Sequence, residues 1–400
     1  MHRLIEDAMK TLAERFKQID ENALTNQKKV LDAFIANRVA LRHFSPSTGY
    51  GYDDVGRDTL SKLFAEVFES EQAIVSPLIA SGTHALTTAL FGLLRPGDTL
   101  LCATGTPYDT LSDVIGGEGI GSLKDFGVKC VTVPLKNGTP DFDGIETAVK
   151  KVKPRVVQIQ RSRGYDMRPA LSVAAIDKIA SMARADGAFA LVDNCYGEFT
   201  ETAEPHADVS VGSLIKNPGG GLAPTGGYIC GTEKAIKQIE GRFTSPSIGR
   251  EVGSYAASYR PFYQGLFMAP HVTAQSLKTA LLFSCVFSRL GYETMPSASD
   301  PLDDIICSIK FEDKQKLVEF CKSVQRVSPV DSFAVPEPWA MPGYDDEVIM
   351  AAGAFVQGAS IELSCDAPIR PPYIAYLQGG LTLEHGIIAL ESCLSALKTD

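Results

Sequence analysis

Residues 188–232 read AFALVDNCYGEFTETAEPHADVSVGSLIKNPGGGLAPTGGYICGT, and the order of signals along them sets the architecture. AFALVDN, VSVGSLIK and GGYICGT are short apolar runs bounded by glycine, proline and polar residues, the signature of strands. Working upstream, SVAAIDKIASMARADG (172–187) has helical spacing and follows the strand-like RVVQIQ (155–160). Before these come a helix over DFDGIETAVKKV (141–152) and strands over VKCVTVPL (128–135) and DTLLCAT (98–104). A helix over SGTHALTTALFGLL (81–94) stops at Arg95-Pro96-Gly97-Asp98 and is preceded by the strand EQAIVSP (71–77). Strand, helix, strand in repeated order predicts an α/β fold with a mostly parallel sheet covered on both faces. Ligands of such sheets bind beyond the carboxyl ends of the strands, so the polar residues there are the ones to inspect.

The flanks read differently. Residues 1–40 have helical spacing and are expected to form two helices, followed by an arm, HFSPSTGYGYDDVGRDTL, and a helix from Thr59. After the helix expected over HVTAQSLKTALLFSCVFSRLGYE (271–293), the pattern changes. Strands over DIICSIKF, EVIMAAGAF and ASIELSC, with helices over EDKQKLVEFCKSVQR and LTLEHGIIALESCLSAL, predict a smaller α+β unit. The expected organisation is N-terminal helices and an arm at 1–58, a large domain at 59–275 and a small domain at 276–400.

Of the 400 residues, 44% are hydrophobic and 22% charged, ordinary values for a globular chain. A net charge of -10 argues against nucleic acid or an anionic membrane as a partner, because both would be repelled. The nine cysteines are scattered, without a C-x-x-C pair, which fits buried thiols in a reducing cytoplasm. The N-terminus lacks the apolar run of a signal peptide, and no apolar stretch approaches the ~20 residues that span a bilayer. The histidines show no paired metal spacing, so no metal site is expected. Gly117-Glu118-Gly119-Ile120-Gly121 lacks the strand–turn–helix context of a dinucleotide loop.

Chemistry concentrates in the opening stretch. Lys216 closes an apolar strand and enters Asn217-Pro218-Gly219-Gly220-Gly221, a tight loop whose backbone can approach a ligand closely. A partly desolvated lysine there can form an imine with an aldehyde. Asp193 ends the preceding strand and can pair with a protonated pyridine nitrogen, making the ring an electron sink. Ser213 can reach a phosphate. Ser81-Gly82-Thr83 opens a helix, where free backbone N–H groups bind anions and glycine removes an obstructing side chain. Tyr108, after DTLLCAT, can stack on a planar ring.

That order, glycine-bearing phosphate turn, stacking aromatic, Asp, Ser and Lys, resembles the fold-type I pyridoxal-phosphate (PLP) enzymes. Within them it is similar to the cystathionine β-lyase/γ-synthase group and its methionine γ-lyase-like "aluminium resistance" branch. GYGYDDVGRDTL, IASGTHAL, QIQRSRGY, LVDNCYGEF, SLIKNPGGG and QGLFMAPHVTAQ carry the likeness, which covers most of the chain. The resemblance implies the aspartate aminotransferase-like fold with a seven-stranded sheet and PLP bound as a Schiff base on Lys216. It further implies carbon–sulfur elimination from a sulfur amino acid, and a homodimer or homotetramer in which one copy's arm completes its neighbour's site. Aminotransfer, aldol cleavage, or a PLP-binding stress protein with little turnover are the alternatives. The group's Tyr-x-Arg on the arm is not reproduced; Tyr50, Tyr52 and Arg57 are there instead, with Tyr52 and Arg57 expected either at the cofactor phosphate or simply in the interface. For the substrate carboxylate the candidate is Arg370, in DAPIRPPY, with Arg161 and Arg163 competing; all three could equally be structural ion-pair arginines.

Overall fold

The computed structural model describes residues 2–341 and 346–397. The N-terminal 34 residues from Arg3 to Ala36 form one helix, α1, not two. No proline or glycine interrupts Arg3–Ala36, so nothing in the backbone breaks the hydrogen-bond ladder. The arm leads into α2 (Val55–Val67), which starts ahead of the expected Thr59 because Asp54 caps it, accepting from the amides of Gly56 and Arg57.

The large domain then runs β1 (Gln72–Ser76), α3 (Gly82–Leu93), β2 (Thr99–Cys102), α4 (Asp109–Gly116), β3 (Lys129–Thr132), α5 (Phe142–Val152), β4 (Val156–Gln160), α6 (Val173–Ala185), β5 (Phe189–Asp193), β6 (Val209–Ser213), β7 (Gly227–Gly231) and α7 (Glu233–Phe243). Its strands form a seven-stranded sheet in the order β1-β7-β6-β5-β4-β2-β3. β3, β2, β4, β5 and β6 are parallel, whereas β7 runs antiparallel to both β6 and β1. Both faces are covered. Leu100, Leu191 and Val209 pack with α3 residues on one side, and Val157, Ile159 and Ala190 with α5 and α6 residues on the other.

A 30-residue helix, α8 (Arg260–Arg289), passes from the large domain to the small one. There β8 (Glu293–Met295), β9 (Ile306–Lys310), α9 (Lys314–Gln325), β10 (Trp339–Ala340), β11 (Glu347–Ala351), β12 (Ser364–Pro368), β13 (Ile374–Gln378) and α10 (Leu383–Ala396) follow. The strands make an antiparallel six-stranded sheet in the order β10-β11-β12-β13-β9-β8. The strand expected over ASIELSC lies further along, at β12, and β13 was not anticipated. This is the α/β fold with a large, mostly parallel sheet and a small second domain that the sequence led us to expect. No described helix is long and apolar enough to cross a membrane.

α1 crosses both domains. Ile5, Ala8, Leu12 and Ile19 are buried with α8 and the small-domain sheet, while Val30 and Ala33 are buried with α2 and the large domain. Between these ends the buried Asn26 donates to the carbonyls of Phe199 at 3.3 Å and Glu201 at 2.9 Å, so the helix is also tied to the segment after β5.

Candidate active site

Adjacent parallel strands deliver Gln160, Asp193 and Ser213 to one end of the large sheet, where β4, β5 and β6 terminate. Lys216 follows β6 and opens a short helical turn, Asn217–Gly219. The turn is held from both sides: the Gly219 amide donates to the Lys216 carbonyl at 3.1 Å, and Asn217 Nδ2 donates to the Glu198 carbonyl at 2.9 Å. The start of α3 closes over this point. Ser81 caps it by accepting from the His84 amide at 3.1 Å, and Gly82 is the first helical residue. A Cβ on Gly82 would lie 3.2 Å from Cys195 Sγ and 3.6 Å from Ser213 Cβ, so glycine lets the helix start approach β5 and β6. Thr83 Oγ1 meets Thr110 Oγ1 at 3.0 Å. The Tyr108 amide donates to Gln160 Oε1 at 2.9 Å, which anchors the start of α4 to the end of β4.

Ser81, Gly82, Thr83, Tyr108, Asp193, Ser213 and Lys216 line a cavity of about 380 Å³ that the small domain completes with Ser360, Ser364, Asp366 and Gln378. Lys216 Nζ lies 3.9 Å from the centre of the Tyr196 ring, a cation held over an aromatic face. Tyr196 reaches it from a left-handed backbone conformation, with φ of 73°. Burial pushes the Asp193 carboxyl up, and the nearby Lys216 ammonium partly opposes this. Burial alone would lower Lys216, but Cys195, Tyr196, Asp193 and Glu198 outweigh it, so the amine is held above its ordinary value. Burial also raises the Cys195 thiol and the Tyr196 phenol, which keeps both protonated at neutral pH. Glu198, behind the sheet, is pushed up to about 8 by burial, and its Oε1 accepts from Tyr228 Oη at 2.8 Å. A Cβ on Gly212 would fall 2.6 Å from that same oxygen, so the glycine in β6 makes room for Glu198.

The residues present fit pyridoxal phosphate. The first-turn amides of α3, the uncluttered Gly82 and the Ser213 hydroxyl form an anion cradle. Asp193 is a partly buried carboxylate whose charge is favoured by a cation such as a pyridinium nitrogen. Lys216 is the amine within the same cavity, and Tyr108 supplies a ring at its wall. Seven of the residues singled out in the sequence (Lys216, Asp193, Tyr108, Ser213, Ser81, Gly82 and Thr83) line this one cavity.

The arginines require correction. Arg161 is fully buried and saturated: it donates to Asn194 Oδ1 at 2.8 Å, Thr200 Oγ1 at 3.1 Å, Glu201 Oε1 at 3.0 Å and the Leu171 carbonyl at 3.3 Å. Arg163 is likewise buried and grips Asp304 with Nε at 3.2 Å and Nη2 at 3.0 Å, while Nη1 donates to the Met295 carbonyl at 2.8 Å. Both are structural, because their forks are already filled by partners inside the fold. Arg370 is half exposed, pairs with Asp346 at 2.8 Å, and lines an outer cleft next to Tyr108 rather than the cavity of Lys216. Tyr52 and Arg57 lie away from the cavity within a single chain. Tyr52 is exposed and stacks on Tyr50 at 5.4 Å, and the buried Arg57 donates to Asp58 Oδ1 and to the carbonyls of Gly51 and Gly253.

Sequence reading missed Tyr196, Gln160, Tyr165, Asp366, Tyr376 and Gln378, all of which line the inner cavity. Tyr196 was within reach, since it lies three residues after Asp193 in LVDNCYGEF. Asp366 carried no local signal, being embedded in an apolar small-domain strand.

The family model described as methionine gamma-lyase matches residues 1–398. The Bacillus subtilis (strain 168) protein YnbB is 49% identical over 390 residues, spanning 95% of this chain and 92% of its own. The solved structure of a carbon-sulfur lyase involved in aluminum resistance from Clostridium novyi NT is 49% identical and superposes with a TM-score of 0.95, covering 99% of this chain and 95% of that one. At 16% identity, the pyridoxal-5'-phosphate dependent protein YhfS from Escherichia coli shares the fold, with a TM-score of 0.65 over 96% of this chain and 97% of its own.

Proposed function

The chain belongs to the methionine gamma-lyase family, and from that premise we propose that it is a pyridoxal-phosphate-dependent carbon–sulfur lyase. Its substrate is a sulfur-containing amino acid, from which a β- or γ-substituent is eliminated through sulfur. The observation that carries this reading is the meeting of Lys216 and Asp193 in one cavity, beside the anion cradle of α3. When bound, the cofactor supplies an electron sink for the charge left at the substrate's α-carbon.

The chain's own residues do the rest. Gly82 and Thr83 amides and the Ser213 hydroxyl would hold the phosphate, and Asp193 would hold a proton on the ring nitrogen. Tyr108 would offer its ring face to the cofactor's ring. Lys216, once its amine is free, takes the α-proton and later returns one, because it is the basic side chain lining the cavity. The small domain withdraws these groups partly from water, which strengthens each of these charge interactions. The exposed, mutually stacked Tyr50 and Tyr52 support an arm that completes the site of another copy in a homodimer or homotetramer.

The test is chemical. The wild-type protein, loaded with cofactor and reduced with borohydride, is expected to carry the label on the peptide containing Lys216, and to release keto acid, ammonia and a thiol from a sulfur amino acid. Lys216→Ala should lose both the label and the visible absorbance that the wild type shows when loaded with cofactor. A variant that kept that absorbance, or a label on another lysine, would overturn the assignment.

A further inference from the structure

One wall of the cavity has no part in holding the cofactor. It is built from Asp366 on β12, Tyr376 and Gln378 on β13, and Tyr165 from the loop after β4. Asp366 Oδ2 accepts from Tyr165 Oη at 3.3 Å and from Gln378 Nε2 at 3.1 Å. Among the described residues no donor meets its other oxygen. The Tyr165 ring lies 5.2 Å from that of Tyr376 and 5.7 Å from that of Tyr108. The result is a carboxylate set among phenol rings.

Charge in the cavity is unbalanced. Among the described residues lining it, Lys216 is the one cationic side chain, against two carboxylates, Asp193 and Asp366. The arginines in the adjoining cleft do not redress this. Arg163 is bound to Asp304, Arg168 donates to the carbonyls of Ser162 and Pro169, and Arg370 is paired with Asp346. A carboxylate drawn partly out of water and hydrogen-bonded by neutral donors alone is costly: burial pushes Asp366 up to about 6, its two hydrogen bonds and the more distant Lys216 ammonium opposing this only in part. A cationic ligand group would relieve that cost twice over. It would form a charge-assisted hydrogen bond to the carboxylate and sit against the negative faces of the rings.

We propose that Asp366, framed by Tyr165 and Tyr376, selects substrates whose leaving portion carries a second ammonium group. The inference rests on the lyase reading and narrows it: the preferred substrate is a thioether amino acid with a basic group beyond sulfur, and one with a neutral alkyl tail is disfavoured. The alternative role for Asp366 is purely structural, tying the Tyr165 loop to β13 through its two hydrogen bonds. Selectivity separates the two, since a structural tie has no reason to distinguish ligands of equal shape.

The probes are S-(2-aminoethyl)-L-cysteine and S-propyl-L-cysteine, which differ in one terminal group. Their binding to cofactor-loaded protein is measured by calorimetry, and their elimination rates are measured separately. The wild type should bind the amine about 10- to 100-fold more tightly, the range of a hydrogen-bonded buried charge pair. Asp366→Asn should erase that preference while still binding the propyl compound, and Asp366→Glu, which keeps the charge, should restore most of it. Equal affinities in the wild type would overturn the inference whatever the variants do, and so would a preference that survives in Asp366→Asn. Absence of turnover with both compounds, alongside an intact preference lost in Asp366→Asn, would refute the lyase reading and leave the ammonium subsite standing.

Discussion

Replacing Glu198 with Gln should remove a pH dependence of stability that this one side chain imposes. Glu198 is completely buried; its Oε1 accepts from Tyr228, and Oε2 has no partner among the described residues. Its carboxyl is raised from 4.5 to about 8 by burial. Between those values the folded chain keeps the proton while the unfolded chain releases it, so stability falls as pH rises. Below 4.5 both states are protonated, above about 8 both are ionised, and the slope from this group vanishes. Within the window each pH unit costs about 1.4 kcal/mol, or ~3 kcal/mol between pH 5 and 7.5. The amide of Glu198→Gln cannot titrate, so that slope disappears, and its unsatisfied N–H adds a constant penalty of ~1–3 kcal/mol. The variant should therefore be less stable than the wild type at pH 5 and equal or superior at pH 8. Urea unfolding of cofactor-free protein, followed by circular dichroism across that range, gives the difference directly. Asp193, Glu204 and Asp366 are also raised, but they are present in both proteins and cancel. Two curves that stay parallel from pH 5 to 8 would mean that Glu198 is ionised in the folded chain, and the reasoning would fail.

Two further outcomes follow from the same geometry. Arg161→Ala should destabilise the protein by ~3–5 kcal/mol, because it strands the buried Glu204 carboxylate that lies 3.7 Å from the guanidinium; a denaturation midpoint matching the wild type would refute this. Ser213→Ala should leave folding intact but weaken cofactor binding about tenfold, the worth of one hydrogen bond to a charged group, and an unchanged dissociation constant in a fluorescence titration would remove Ser213 from the phosphate cradle.

The sheet was legible because β4, β5, β6 and β7 are brief apolar runs punctuated by glycine and proline, and the strand–helix alternation is itself the topology. Lys216 and Asp193 were legible for a related reason: both sit at strand ends, where sequence position and spatial position nearly coincide. What was hidden was decided over long separations. Arg161 and Arg163 do follow β4, as expected, but their roles depend on Glu201, Glu204 and Asp304, which the sequence does not mark as partners. Asp366 reaches Tyr165 across roughly half the chain. α4 was obscured by the glycines around it, and the early part of α8 by Pro261, in the opening turn where proline is well tolerated, and by Pro270, which lies inside the helix.

The two long helices constrain how such a molecule can open. α1 and α8, with 34 and 30 residues, extend roughly 50 and 45 Å, and each is embedded in both domains. Swinging the small sheet away from the large one would shear two continuous rods out of two apolar interiors at once. Both helices thus fasten the two domains to each other, and the cavity of Lys216 lies where elements of the two fastened bodies meet.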